Sequence, residues 1–137
     1  MRVNIAAAAM VAAAYLAAVL GGWDIGLQTL VLFMGIDYIT GLIVAAVFRK
    51  SKKSTGGGLS SKCSFQGLAR KVMQLLFVLI AYRLDTLIGT DFVRSAVLIA
   101  FISNELISIS ENAALMGLPL PDKIHKAIDV ISGGTQR

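Results

Sequence analysis

Charge is scarce in this chain: acidic and basic side chains make up 15% of its 137 residues, whereas 56% are hydrophobic. Soluble domains run at roughly 25% charged and 45 to 50% apolar. A mean hydropathy of +0.75 therefore makes lipid the solvent, and the length allows one domain. Cysteine and histidine are scarcer still, one of each, Cys63 and His125. That excludes an internal disulfide and a metal or haem site built from the two, and no cofactor is expected. No nucleophile and base are placed for catalysis, and Gly56, Gly57 and Gly58 lack the Lys and Ser/Thr that follow in a phosphate-binding loop. An enzyme is the least fitting class. The net charge of +5 is concentrated in one stretch, which points to a membrane surface and not to nucleic acid.

Four apolar segments stand out, near residues 3–23, 25–48, 68–88 and 92–116. Each approaches the roughly 20 residues that cross a hydrocarbon core of about 30 Å, and none alternates as barrel strands do. The expected fold is an all-α integral membrane protein, a single domain over 1–137. It has a bundle of about four transmembrane helices and a short C-terminal amphipathic helix near 121–132. In that last helix Ile124, Ala127, Ile128 and Ile131 oppose Lys123, Lys126 and Asp129, a pattern suited to the inner interface. Gly117 stops the helix before it, and Pro119 and Pro121 make a rigid turn.

Orientation follows from the basic residues. Arg49, Lys50, Lys52, Lys53, Lys62, Arg70 and Lys71 gather around the connection 49–67 with no acid among them. That assigns the connection to the cytoplasm, and Ser54 to Ser61 predict a flexible segment. Both termini are then cytoplasmic, with Arg2 holding the first helix start inside. Trp23 is placed as an outer interface anchor. The first, alanine-rich segment has an alternative as a cleavable signal sequence, and Met10 is a candidate second start.

Charged groups deep in a bilayer cost roughly 2.5 to 3.5 kcal/mol each, so every one needs a reason. At about 100° per residue, Arg94, Asn104, Glu105, Ser108, Glu111 and Asn112 fall in one sector of about 120° on the fourth segment. On the second, Gly26, Asp37, Thr40 and Gly41 share a face suited to close helix approach, including between copies. On the third, Gln74, Ala81 and Asp85 share a face and Arg83 points away. At about 1.5 Å per residue, Asp37, Gln74 and Glu105 lie roughly 18 to 21 Å from the outer surface, one polar layer. Two carboxylates in such a layer do not both ionise cheaply, so one of Asp37 and Glu105 is expected to carry a proton. Asp85, Arg83 and Arg94 lie within about 8 Å of the outer surface, free to pair or to reach water.

Four blocks of residues carry a resemblance: Asp37 to Gly41; Ser60 to Lys62 with Gly67 to Lys71; Ser103 to Glu105 with Ser108 to Asn112; and Gly117 to Pro121. Their order and spacing resemble the toxin-secretion and phage-lysis holin family from about Leu30 to Ile131. The chain departs from the pattern in its alanine-rich first segment and in the lysine- and glycine-extended stretch 50–58. The resemblance implies a homo-oligomer of the bacterial inner membrane that forms timed lesions. Through them an endolysin reaches the cell wall and lyses the host, or a large toxin is released. Read from the residues alone, a small ion or proton channel using Asp37 and Glu105, or a non-catalytic membrane anchor, remains an alternative.

Overall fold

A computed structural model describes residues 4–131 and Gly133; Arg2 and the last four residues lie outside the described residues. Five α-helices follow one another: α1 Ile5–Val19, α2 Ile25–Ile43, α3 Ser61–Ile88, α4 Phe92–Leu115 and α5 Asp122–Ile131. A π-helical turn, Val44–Phe48, extends α2. Two of the helical stretches, Ile25–Phe48 and Phe92–Leu115, are long and apolar enough to cross a membrane.

The other two segments differ from the sequence expectation for separate reasons. α1 has only 15 residues, about 22 Å of helix, because the chain turns through Gly21 and Gly22 at φ of 96° and 105°. The helix expected over 3–23 is therefore shorter, and none of its residues is buried. α3 has the length, 28 residues, but carries Arg70, Lys71, Arg83 and Asp85. It begins at Ser61, whose predecessor Ser60 caps it by accepting from the Cys63 N–H. Lys62, Arg70 and Lys71 thus stand on a helix, and the connection is shorter than 49–67.

α4 packs between α2 and α3, which touch each other little. α2 and α4 run parallel: Arg94 at the start of α4 bonds to Asp24 at the start of α2, and Asn112 near the end of α4 bonds to Asp37 and Thr40 further along α2. α3 runs against both. The core is Leu27, Leu30, Met34, Val78 and Leu98, bordered by Phe101 and Ile102. Gly26 lies against Leu98 and Gly41 against Asn112, so the small-residue face of α2 takes part in packing within the chain. In lipid such apolar packing gains dispersion contacts but no hydrophobic free energy, and the polar contacts carry more of the specificity.

At the end where α2 and α4 begin, two polar knots fix the turns. Asp85 of α3 accepts from the backbone N–H groups of Val93 (3.0 Å) and Arg94 (2.8 Å) and from the Thr90 hydroxyl (2.6 Å). It caps α4 in place of Asp91, which makes no side-chain cap bond. Asp85 and the Arg94 guanidinium, grouped by depth in the sequence, therefore do not pair. The guanidinium turns the other way, donating to the Leu20 carbonyl (2.6 Å), the Gly22 carbonyl (3.1 Å) and both oxygens of Asp24 (2.6 and 3.2 Å). Gly21 gives it room: a Cβ there would stand 2.5 Å from Arg94 Nε.

At the opposite end the connection after α2 is folded back on itself and is not the loose segment that its composition predicts. Arg49 adopts a left-handed φ of 52°. The Ser51 N–H donates to the Gly57 carbonyl, and the Cys63 thiol donates to the Lys53 carbonyl. Gly57, at φ of 77°, sits against the Arg49 carbonyl, where a Cβ would collide. Beyond Gly117 the chain turns into α5, which packs on α4 and buries Ile128.

Asp24 lies outside the apolar spans, and the hydrogen bond from the Arg94 guanidinium, against a partial desolvation, holds its carboxyl below the usual carboxylate value. A carboxyl whose folded value is depressed contributes stability that is complete above its unfolded value and is lost as pH falls through the folded one. Thermal unfolding in detergent is therefore expected to lose a stabilising step below about pH 4. Asp24→Asn should lack that step, and Arg94→Gln should unfold earlier at neutral pH by about 2 to 3 kcal/mol.

Candidate functional site

Midway along the bundle the helices bring together charges from three different elements. Lys71 of α3 places its ammonium between two carboxylates, 2.6 Å from Asp37 Oδ2 on α2 and 2.7 Å from Glu105 Oε2 on α4. All three side chains are shielded, at 12%, 9% and 5% exposure. Asn112, one helical face along α4, donates to Asp37 Oδ1 (3.2 Å) and to the Thr40 hydroxyl (2.9 Å). The Thr40 hydroxyl in turn donates to the Ile36 carbonyl one turn back. The α2–α3–α4 packing thus closes on a triad of two acids and one base with amide and hydroxyl support.

The residues singled out in the sequence divide accordingly. Asp37, Thr40, Glu105 and Asn112 meet in this cluster. Arg94 and Asp85 belong instead to the knots at the other end. Asn104 and Glu111 are exposed and Ser108 half-buried, so the α4 stripe has a packed edge and an open one. The open edge lines a cleft of about 280 Å³ whose walls also include Lys71 and Gln74 and, from the connection after α2, Ser54 and Ser60. Gln74 is near the layer assigned to it but bonds neither acid; its Oε1 is buried with no hydrogen-bond partner. Arg83 is exposed, as its helical angle predicts.

Lys71 is the member of the triad that counting charges along the sequence misses. It counts among the basic residues that set orientation, and the other six, Arg49, Lys50, Lys52, Lys53, Lys62 and Arg70, are exposed. Lys71 alone turns inward. Its helical angle carried the signal: Lys71, Gln74, Ala81 and Asp85 continue one face at spacings of three, seven and four. The ammonium stands between the two carboxyl groups, and with both of them ionised it would offset one of two negative charges.

Chemically the arrangement is a shielded set of ion pairs, one base held between two acids. Among the described residues, no group of three or more His, Cys, Asp or Glu side chains could hold a metal ion. Breaking a buried ion pair by removing one partner costs about 3 to 5 kcal/mol, because the other charge stays behind. Lys71→Met leaves two carboxylates facing each other, so it is expected to lower accumulation in membranes and thermal stability more than Arg70→Met. Adding Asp37→Asn and Glu105→Gln to Lys71→Met should restore most of the loss; a triple variant no better than Lys71→Met would remove the charge argument.

Compared with known proteins, residues 14–133 match the model of the bacteriophage holin family. A Clostridium perfringens protein, named as an uncharacterized 14.9 kDa protein in the nagH 3′ region, is 38% identical over 112 residues, covering 80% of this chain and 79% of its own length. An uncharacterized protein of Halalkalibacterium halodurans is 37% identical over 131 residues, 91% of each chain. A protein of Bacillus phage phi105 that is named a probable holin is 34% identical over 97 residues, 70% of this chain and 66% of its own length. No solved structure matches the chain.

Proposed function

The chain belongs to the bacteriophage holin family, and on that premise we propose that it is a holin of the bacterial inner membrane. Copies accumulate, associate, and at a set time open lesions through which an endolysin, or a large toxin, crosses. The observation that carries this reading is the half-open polar stripe of α4. Arg94, Glu105 and Asn112 are buried, while Asn104 and Glu111 stand exposed at its edge. A face of that kind is satisfied by protein in the packed form and by water when the helices part.

The helix directions support a multi-pass arrangement. With α2 and α4 parallel and both apolar enough to span, the chain between them has to return across the bilayer, and α3 is that return. Its 28 residues give about 42 Å of helix, more than the hydrocarbon thickness. The exposed basic residues Arg49 to Lys53 then lie on the cytoplasmic side with the C-terminus, and α5 rests at the inner interface. α1, short and uncovered by protein, sets the side of the N-terminus; if it spans by thinning the bilayer, the N-terminus is cytoplasmic too.

The chain is to be induced in a bacterium that also makes a cytoplasmic endolysin without a signal sequence, and turbidity followed. The expected result is an abrupt fall at a reproducible time, hastened by collapsing the membrane potential. Continued growth with a selective ion leak would favour a channel built on Asp37 and Glu105, and continued growth without leak would favour an anchor. Either outcome overturns the holin reading.

A further inference from the structure

The triad is unbalanced both in charge and in hydrogen bonding. Asp37 and Glu105 contribute two negative charges and Lys71 one positive charge. Both oxygens of Asp37 accept donors, Oδ2 from Lys71 and Oδ1 from Asn112, whereas Lys71 reaches Glu105 through Oε2. Oε1 of Glu105 is therefore the triad's carboxylate oxygen to which no donor is bonded among the described residues. Gln74, whose Oε1 is buried and lacks a hydrogen-bond donor, lines the same cleft as Glu105. One added proton on a carboxyl would balance the charge and supply a donor where acceptors are in excess.

The cleft connects this position to the end of the bundle that bears the basic connection, since its walls run from Asp37 and Glu105 to Lys52 and Lys53. The charged and titratable groups that line the cleft with Glu105 come from each packed element: Asp37 and Tyr38 from α2, Cys63, Arg70 and Lys71 from α3, Glu111 from α4 itself, and Lys52 and Lys53 from the connection. α5 contributes no residue to the cleft lining. Lys71 is the group already engaged, and the other cations are exposed at the rim.

We propose that Glu105 is a proton-binding site reached from the cytoplasmic side and that its occupancy decides how firmly α3 is latched to the α2–α4 pair. The proposal rests on the holin reading and adds its regulation. The Glu105 carboxylate takes one proton from water in the cleft and becomes a neutral acid, while Lys71 keeps its pair with Asp37, and the triad then carries no net charge. Loss of that proton returns a unit negative charge to a shielded site and favours a form in which the carboxylate meets water. The packed form binds the proton more tightly than the open one, so by linkage acid holds the latch and alkali releases it.

Two measurements on the purified full-length chain in liposomes of neutral phospholipid, with the same pH inside and out, test this separately from the lytic role. The first is infrared titration of the carboxyl band, which needs no lesion. A protonated-carboxyl signal should be present in the unaltered chain, diminish as pH rises, and vanish in Glu105→Gln. If that variant fails to insert, Glu105→Asp should shift the band instead. The second is release of a trapped dye, expected to rise with pH by up to about tenfold per unit, the limit for one proton. In Glu105→Gln, release should be flat and no faster than the slowest rate of the unaltered chain. Absence of the band, its persistence in Glu105→Gln, or an unchanged pH slope of release in that variant would overturn the proposal. A Glu105 band that titrates without any dye release would overturn the holin reading and the latch while leaving the proton site standing.

Discussion

A single ammonium held between two carboxylates, in the middle of the bundle, is the contact on which the arrangement of the three longest helices depends. Lys71 is the only described side chain that bonds both α2 and α4 from α3, and α2 and α3 have little other contact. Desolvating three charges is expensive, and the attraction among them offsets that expense only while all three stay together. The packing is therefore conditional. It is firm when the triad is assembled and costly when one member is withdrawn.

The two ends of the bundle are built differently around this centre. At the end where α2 and α4 begin, both buried charges are matched: Arg94 spans the α1–α2 turn through carbonyls and Asp24, and Asp85 closes the α3–α4 turn by capping α4. Backbone acceptors and a helix N-terminus are demanding partners, and they fix these turns in both distance and direction. At the other end Asn104, Ser108 and Glu111 border an open cleft, and Gln74 keeps a buried oxygen unpaired. The first end is closed by matched hydrogen bonds, and the second is open at the cleft.

Much of this was legible before any coordinates. Apolar runs and their lengths give the helices, and an angle of 100° per residue places Arg94, Glu105 and Asn112 on one side of α4, where they are found buried. Other features were not legible. Gly21 and Gly22 shorten α1 because two successive left-handed residues turn the chain, while the apolar run itself continues past them to Trp23. Composition suggested a loose connection around Gly56 to Gly58, yet positive φ at Gly56 and Gly57 folds it onto Arg49. Counting charges by loop groups Lys71 with its neighbours because it does not ask which way each one points.

The sequence by itself determined the solvent, the helical class, the basic side and the set of polar residues that have to be explained, since these follow from composition and from one helix's own period. Only the tertiary structure decided the pairings. Lys71 stands 34 residues from each of its two carboxylates, and Arg94 stands 70 residues from Asp24. A helix's period fixes where a side chain points relative to its own axis, but it leaves the rotation and register of that helix against its neighbours free. Those are set by packing, through Gly26 against Leu98, Asp85 at the start of α4 and Arg94 over Gly21, and they bring one lysine of the basic group between Asp37 and Glu105.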